Sequence, residues 1–210
     1  MRHAALDAMS ASHATVAHVD ENVLLQRLRW RVAIGVPIDW IWRRFDDGTI
    51  NSCSWHDIEG QRAIRERRYE PQVPRSPVPT AAITRFEERT GTAFPLLLRR
   101  LYTEVADGGF GPGYGLFPLD PPSEHPRADS VTYLYDKHLG YRRDSYLQGC
   151  DEPLIPIADH GCAITSYATP SGVVWEHDPN TDIERAVPTN KSLHAWLTGW
   201  LGPAPTGQRS

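Results

Sequence analysis

The chain has 210 residues, of which 40% are apolar and 23% charged, and a formal net charge of −4 at pH 7. This composition argues against a disordered or membrane-embedded protein, and the length allows one substantial core. Because no segment is apolar enough for a transmembrane helix and the first twenty residues hold no continuous apolar run, we expect a cytoplasmic protein without a secretory signal.

The N-terminal part predicts a leader followed by helices. Residues 1–19 are rich in Ala, Ser and His without a clear period, and we interpret them as a mobile leader. Residues 20–70 are predicted as a helical extension. A capping-box pattern of Ser54 and Asp57 predicts its second helix. Its first helix is predicted from apolar residues at helical spacing: Leu24, Leu25, Leu28 and Val32.

Two further features lie between residue 36 and residue 79. Three large aromatic residues, Trp40, Trp42 and Phe45, fall within six positions and must pack against something. Four prolines fall within residues 71–79, which excludes helix and central strand. We interpret this segment as a stiff linker, with a proline-recognition ligand as the alternative.

Residues 80–107 predict two helices joined by a tight turn. Thr80 is predicted to cap the first helix, which ends at Gly91 in a left-handed conformation. Pro95 opens the second helix, and Gly108 stops it. The apolar positions of both helices predict faces that pack against a core: Ile83, Phe86, Leu97, Leu98, Leu101 and Val105.

Short apolar segments after this pair predict consecutive strands, at residues 115–119, 154–158, 164–167 and 172–175. Ser130 is predicted to cap a helix between the first two strands, and Asn190 to cap the last helix. The apolar face of that last helix is formed by Leu193, Trp196, Leu197 and Trp200. We interpret residues 202–210 as a frayed tail.

The order of these features resembles that of the SUKH superfamily, which includes bacterial immunity proteins and fungal cell-wall regulators of the Smi and Knr type. The resemblance rests on the helix pair that closes with Asp107-Gly108-Gly109, on the strand at 115–119 and on the strand series at 154–175. It covers residues 80–201 and leaves residues 1–79 outside. It implies an α+β fold with a mixed, mainly antiparallel sheet flanked by helices. Residues 20–70, outside the resemblance, are predicted to add an α-helical extension.

The resemblance also implies a non-enzymatic binding protein, most directly an immunity protein that neutralises a polymorphic toxin by covering its active surface. A regulatory scaffold that binds cellular partners and an enzyme with an unrecognised site are the alternatives. Residues 91–210 carry 9 Lys or Arg against 14 Asp or Glu, which favours a basic protein partner over nucleic acid, although an ordinary acidic surface explains this charge as well. The candidate partner-binding residues are Phe110, Tyr114, Tyr135, Asp136, Trp175 and Asp178.

Other chemistries find little support in the sequence. The glycine-rich segment 108–115 follows a helix and precedes a strand, the reverse of a dinucleotide-binding loop, so we interpret it as a turn. No set of His, Cys and carboxylate residues has the spacing of a zinc site, and we expect neither metal nor cofactor. Cys162, close to His160, is interpreted as a small packed residue where a strand enters the sheet. We expect free thiols at all three cysteines: Cys53, Cys150 and Cys162.

Overall fold

The computed structural model describes residues 21–140, 149–183 and 185–202, so the predicted leader and nearly all of the predicted tail lie outside the described residues. The fold is α+β, as predicted, with two antiparallel sheets and helices packed around them. The elements in chain order are α1 (21–33), β1 (Trp40–Arg44), β2 (Ile50–Ser54), α2 (Ile58–Glu66), β3 (Tyr69–Glu70), α3 (Thr80–Thr90), α4 (Leu96–Glu104), β4 (Gly115–Leu116), α5 (Val131–Gly140), β5 (Ile155–Asp159), β6 (Thr165–Ala168), β7 (Val173–His177), β8 (Val187–Ser192) and α6 (Leu193–Leu201).

The larger sheet has the strand order β4-β5-β6-β7-β8. Its first four strands confirm the four predicted from the sequence, whereas β8 was not predicted. One face belongs to the main core through Ile155, Ala168 and Val174. The opposite face carries the cross-strand pair Tyr167 and Trp175, which pack in a smaller cluster with Leu154 and Ala186. Side chains alternate along each strand, so one sheet separates the two clusters.

The helix pair α3–α4 forms as predicted, with its apolar face buried in the main core. Gly91 ends α3 with φ of +66°, and its N–H donates to the carbonyl of Glu87. The prediction that Thr80 caps α3 is wrong, because Thr80 is already helical and Pro79 takes the cap position without a side-chain bond. The cap of α4 is Pro95 itself.

Residues 20–70 are not purely helical. They contain a three-stranded antiparallel sheet of order β2-β1-β3, against which α2 packs. The predicted capping box is wrong as well, since α2 begins at Ile58 and Asp57, in the cap position, makes no side-chain capping bond. Helix α1 buries Leu24, Leu25 and Leu28 in the main core beside α4. This part of the chain therefore shares its core with residues 80–201.

The proline-rich segment lies extended between these parts and hydrogen-bonds to both. Gln72 donates its N–H to the carbonyl of Gly35, and Val78 donates to that of Tyr102. The carbonyl of Arg75 accepts from the N–H of Asp107. The extended backbone is thus held along its length by its neighbours.

Of the two caps predicted for the later helices, one is confirmed and one is wrong. Ser130 accepts the N–H of Tyr133 at 3.2 Å at the start of α5, as predicted. Helix α6 is capped by Ser192, whose Oγ accepts from Ala195 N at 3.1 Å. Asn190 instead lies in β8 with φ of +58°, a conformation that asparagine tolerates better than most residues. None of the described helices has the length and apolar character to cross a bilayer.

Candidate functional site

The glycine-rich segment places one tyrosine on the surface. Gly113 and Gly115 both have positive φ, and a Cβ at Gly113 would lie 2.5 Å from the carbonyl oxygen of Asp159. Only glycine fits so close to the neighbouring backbone. The turn closes against β5 in this way, and Tyr114, between the two glycines, is left 51% exposed.

Tyr114 lies between the N-terminal sheet and the larger sheet. Its ring stacks on Trp40 of β1 with centroids 6.3 Å apart. On the other side it covers the turn between β5 and β6, where a Cβ at Gly161 would meet the tyrosine ring at 2.8 Å. Trp42 lies two residues after Trp40 and therefore on the same face of β1. The three aromatic side chains form a partly exposed apolar strip.

Two carboxylates lie beside this strip, and a third is exposed in a neighbouring loop. Asp159 accepts the N–H of Gly161 at 2.7 Å, and Asp178 accepts the N–H of Asn180 at 2.9 Å. Asn180 in turn donates its side-chain amide to the carbonyl of Cys162 at 3.1 Å, which ties the loop after β7 to the turn beside Tyr114. Asp182 lies exposed in the same loop. Within the part of the chain that the structure describes, none of the three aspartates forms an ion pair.

We call the surface formed by Trp40, Trp42, Tyr114, Asp159 and Asp178 the Tyr114 surface. Two residues predicted from the sequence, Tyr114 and Asp178, belong to it. Two other residues predicted to contact a partner, Phe110 and Tyr135, are buried in the core, so this prediction is wrong for both. Phe110 is 1% exposed and points inward from the glycine segment, and Tyr135 is 3% exposed and packs edge-on against Phe86. Neither ring can anchor a partner.

The last two predicted residues have other neighbours. Asp136 is exposed on α5, but Arg89 of α3 neutralises it at 2.5 Å. Trp175 is half-buried against Leu154 and Tyr167 on the face of the sheet opposite the main core. The structure does not bring either residue into contact with Tyr114.

Asp39, just before β1, is a residue that the sequence analysis missed. Its carboxylate accepts from Trp200 Nε1 at 2.5 Å, from Gly113 N at 2.6 Å and from Trp55 Nε1 at 3.2 Å. One side chain thus joins α6, the glycine segment and the turn after β2. A single aspartate between Ile38 and Trp40 carries no sequence signal for this role.

Beneath Asp39, the buried guanidinium of Arg31 lies between two indole rings. Its carbon is 3.8 Å from the centroid of Trp55 and 4.1 Å from that of Trp200. Arg31 also donates to the carbonyls of Val36 and Ile38, each at 2.9 Å. Burial lowers the pKa of Arg31 to about 9, so the side chain stays cationic at neutral pH and attracts both rings. Arg31 and Asp39 thus connect the elements around Trp40 and Tyr114.

One arrangement near this junction has the form of a catalytic pair. His160 Nε2 lies 2.8 Å from Ser166 Oγ, the geometry in which a base activates a hydroxyl. Ser166 is 0% exposed, however, so a substrate would have no access to its oxygen. The interpretation of Cys162 as a packed residue is wrong, because this thiol is exposed in a left-handed turn with φ of +51°.

Among the described residues, no group of three or more His, Cys, Asp and Glu side chains is arranged to hold a metal ion. Comparisons with protein-family models, with curated proteins and with solved structures found no match. The functional interpretation therefore rests on the residues of this chain.

Proposed function

We propose that this protein is a non-enzymatic binding protein that acts in the cytoplasm as an immunity protein, covering the active surface of a basic toxin domain with its Tyr114 surface. The observation that carries the proposal is an exposed tyrosine stacked on a tryptophan beside two carboxylates, Asp159 and Asp178, which form no ion pair with any other described residue. The resemblance of residues 80–201 to the SUKH superfamily supports the same class of function.

The aromatic part of the surface suits a partner contact. Tyr and Trp side chains bury a large area and lose few rotamers, which is why they dominate binding energy at protein interfaces. Tyr114 is held from below by Gly161 and from the side by Trp40. Because the ring is already positioned, binding a partner there costs little conformational entropy.

The carboxylates determine the kind of partner. Asp159 and Asp178 accept hydrogen bonds from backbone N–H groups, which hold them in place without neutralising their charge. A partner with lysine or arginine side chains would supply the missing positive charge, and complementary charge speeds association. A toxin domain that binds nucleic acid would carry such a basic surface.

The test is a growth assay in which this protein is co-expressed with the toxin domain encoded beside it in its genome. Wild type should restore growth, and Tyr114→Ala and Asp178→Lys should each restore it less. Asp136→Lys is the matched charge control, since Asp136 lies outside the Tyr114 surface. If wild type neither binds the neighbouring toxin nor protects against it, the regulatory scaffold is favoured. Equal protection by all variants would place the binding surface elsewhere.

A further inference from the structure

Strand β2 is an edge strand with free backbone groups. Just beyond the two ends of the β1–β2 pair, Trp55 N donates to Asp39 O and Phe45 N donates to Thr49 O. These bonds show which residues of β2 direct their backbone groups toward β1, since every second residue does so. In that alternation the N–H and C=O groups of Ile50 and Ser52 point away from β1. No other described residue bonds to them.

The other sheet edges are protected against further pairing, whereas β2 is not. Strands β3 and β4 have only two residues each. Strand β8 carries Pro188 and Lys191, and its pairing with β7 shifts register. Short length, proline, lysine and irregular register are the devices by which proteins prevent edge-to-edge association. Strand β2, Ile-Asn-Ser-Cys-Ser, has five residues, no charge and no proline.

We propose that a second copy of this chain pairs antiparallel with β2 across a twofold axis at Ser52, joining the two three-stranded sheets into one sheet of six strands. This proposal does not rest on the proposed immunity function, although Ser52 lies opposite Trp42 of the Tyr114 surface. A twofold interface requires a segment complementary to itself. With Ser52 opposite its own copy, Asn51 faces Cys53 and Ile50 faces Ser54, so no like charges meet within the paired strands.

An exposed apolar side chain at the start of β2 favours the same occupant. Ile50 opens the strand and is half exposed. Antiparallel pairing places the start of β2 in one copy beside its end in the other. Ile50 then lies at the proposed interface, where association would reduce its contact with water.

The first test is sedimentation of the full chain over a range of concentrations. Wild type should form a concentration-dependent dimer. Ser52→Lys should abolish it, because two lysines would lie side by side at the axis, and Ser123→Lys, a substitution at an exposed serine elsewhere, should leave it intact. Thermal melts check that each variant is folded. A wild type that remains monomeric, or a dimer that Ser52→Lys does not weaken, would overturn the proposal.

The second test fixes the register by cross-linking. In the proposed pair the two Ser52 Cα atoms lie about 5.5 Å apart, within reach of a short bis-maleimide cross-linker but with side chains too far apart for a direct disulfide. Ser52→Cys, placed in a Cys162→Ala background because Cys162 is exposed, should form a cross-linked dimer with that reagent. Ser123→Cys in the same background should not. A dimer without this cross-link would contradict pairing at Ser52.

Discussion

Asp39 shows how one side chain can hold distant parts of this chain together. Its carboxylate accepts from Trp200, 161 positions away, and from the backbone of the glycine segment that carries Tyr114. Arg31 lies below, between the two indoles that also bond to Asp39. The position of Tyr114 therefore depends on a residue outside the Tyr114 surface.

Replacing Asp39 with Ala should destabilise the fold. Trp200 Nε1 and Gly113 N would each lose their acceptor, and each orphaned buried donor costs about 1 to 3 kcal/mol. We expect a loss of about 2 to 6 kcal/mol in the free energy of unfolding, measured by urea denaturation. Asp182→Ala is the control at an exposed aspartate. An Asp39→Ala variant as stable as wild type would mean that this junction contributes nothing to stability.

Asp107 predicts a pH dependence. It is nearly buried, and burial raises its pKa above the ordinary 3.8, although its Oδ1 accepts from Leu119 N at 2.7 Å. The folded state thus retains the proton to higher pH than the unfolded state. Between these two pKa values folding binds a proton, so the contribution of Asp107 to stability is largest at low pH and falls as pH rises through that window.

The Asp107→Asn variant isolates this effect, because its amide oxygen can still accept from Leu119 while its side chain no longer titrates. Urea denaturation of both proteins from about pH 4 to pH 7 is the measurement. The stability of wild type relative to the variant should decrease as the pH rises. Parallel pH profiles would show that the pKa of Asp107 is the same in both states.

At the scale of elements, the helix pair α3–α4 shows which predictions from sequence succeed. Gly91 and the spacing of Phe86, Leu98 and Leu101 determine where the helices end and which faces are buried, and all of these signals are local. The N-terminal sheet was missed because β1 has large side chains on both faces: Trp40 and Trp42 on one, Ile41 and Arg43 on the other. Such a strand lacks the alternation that identifies a half-buried strand.

The helix pair offers a matched test on α4. Leu101 is 0% exposed, whereas Leu96 is 77% exposed on the same helix. Leu101→Ala should cost about 2 to 5 kcal/mol of unfolding free energy, as should Phe86→Ala on α3. Leu96→Ala should change it by about 0.5 kcal/mol or less. Thermal and urea denaturation of the three variants provide the comparison, and equal effects at Leu101 and Leu96 would contradict the packing of α4.

At the scale of the whole molecule, part of the acidic bias of the chain lies beside Tyr114. Many acidic side chains elsewhere pair with arginines, such as Glu87 with Arg99 and Glu104 with Arg100. Asp159 and Asp178 lie at one end of the larger sheet, beside the turn that Tyr114 covers. The proposed attraction to a basic partner is therefore directed toward the Tyr114 surface.

Under the proposed function, association with a basic toxin domain should slow as salt rises, because charge attraction is screened over about 10 Å at 0.1 M salt. Asp178→Lys should mainly lower the association rate, whereas Tyr114→Ala should mainly raise the dissociation rate by removing buried contact area. Surface plasmon resonance at several salt concentrations measures both rates, and Asp136→Lys serves as the control. Salt-independent association, with all variants equal to wild type, would argue against capture at the Tyr114 surface.

The sequence by itself determined the α+β class, the helix pair and the first four strands of the larger sheet, because periodicity, glycine and proline act within a few residues. It could not separate exposed from buried aromatics: Phe110 and Tyr114 lie in the same glycine segment, yet one enters the core and the other faces solvent. Only tertiary contacts decided this, along with the role of Asp39 and the free edge of β2. Each depends on groups brought together from distant positions, such as Asp39 and Trp200, which no local pattern encodes.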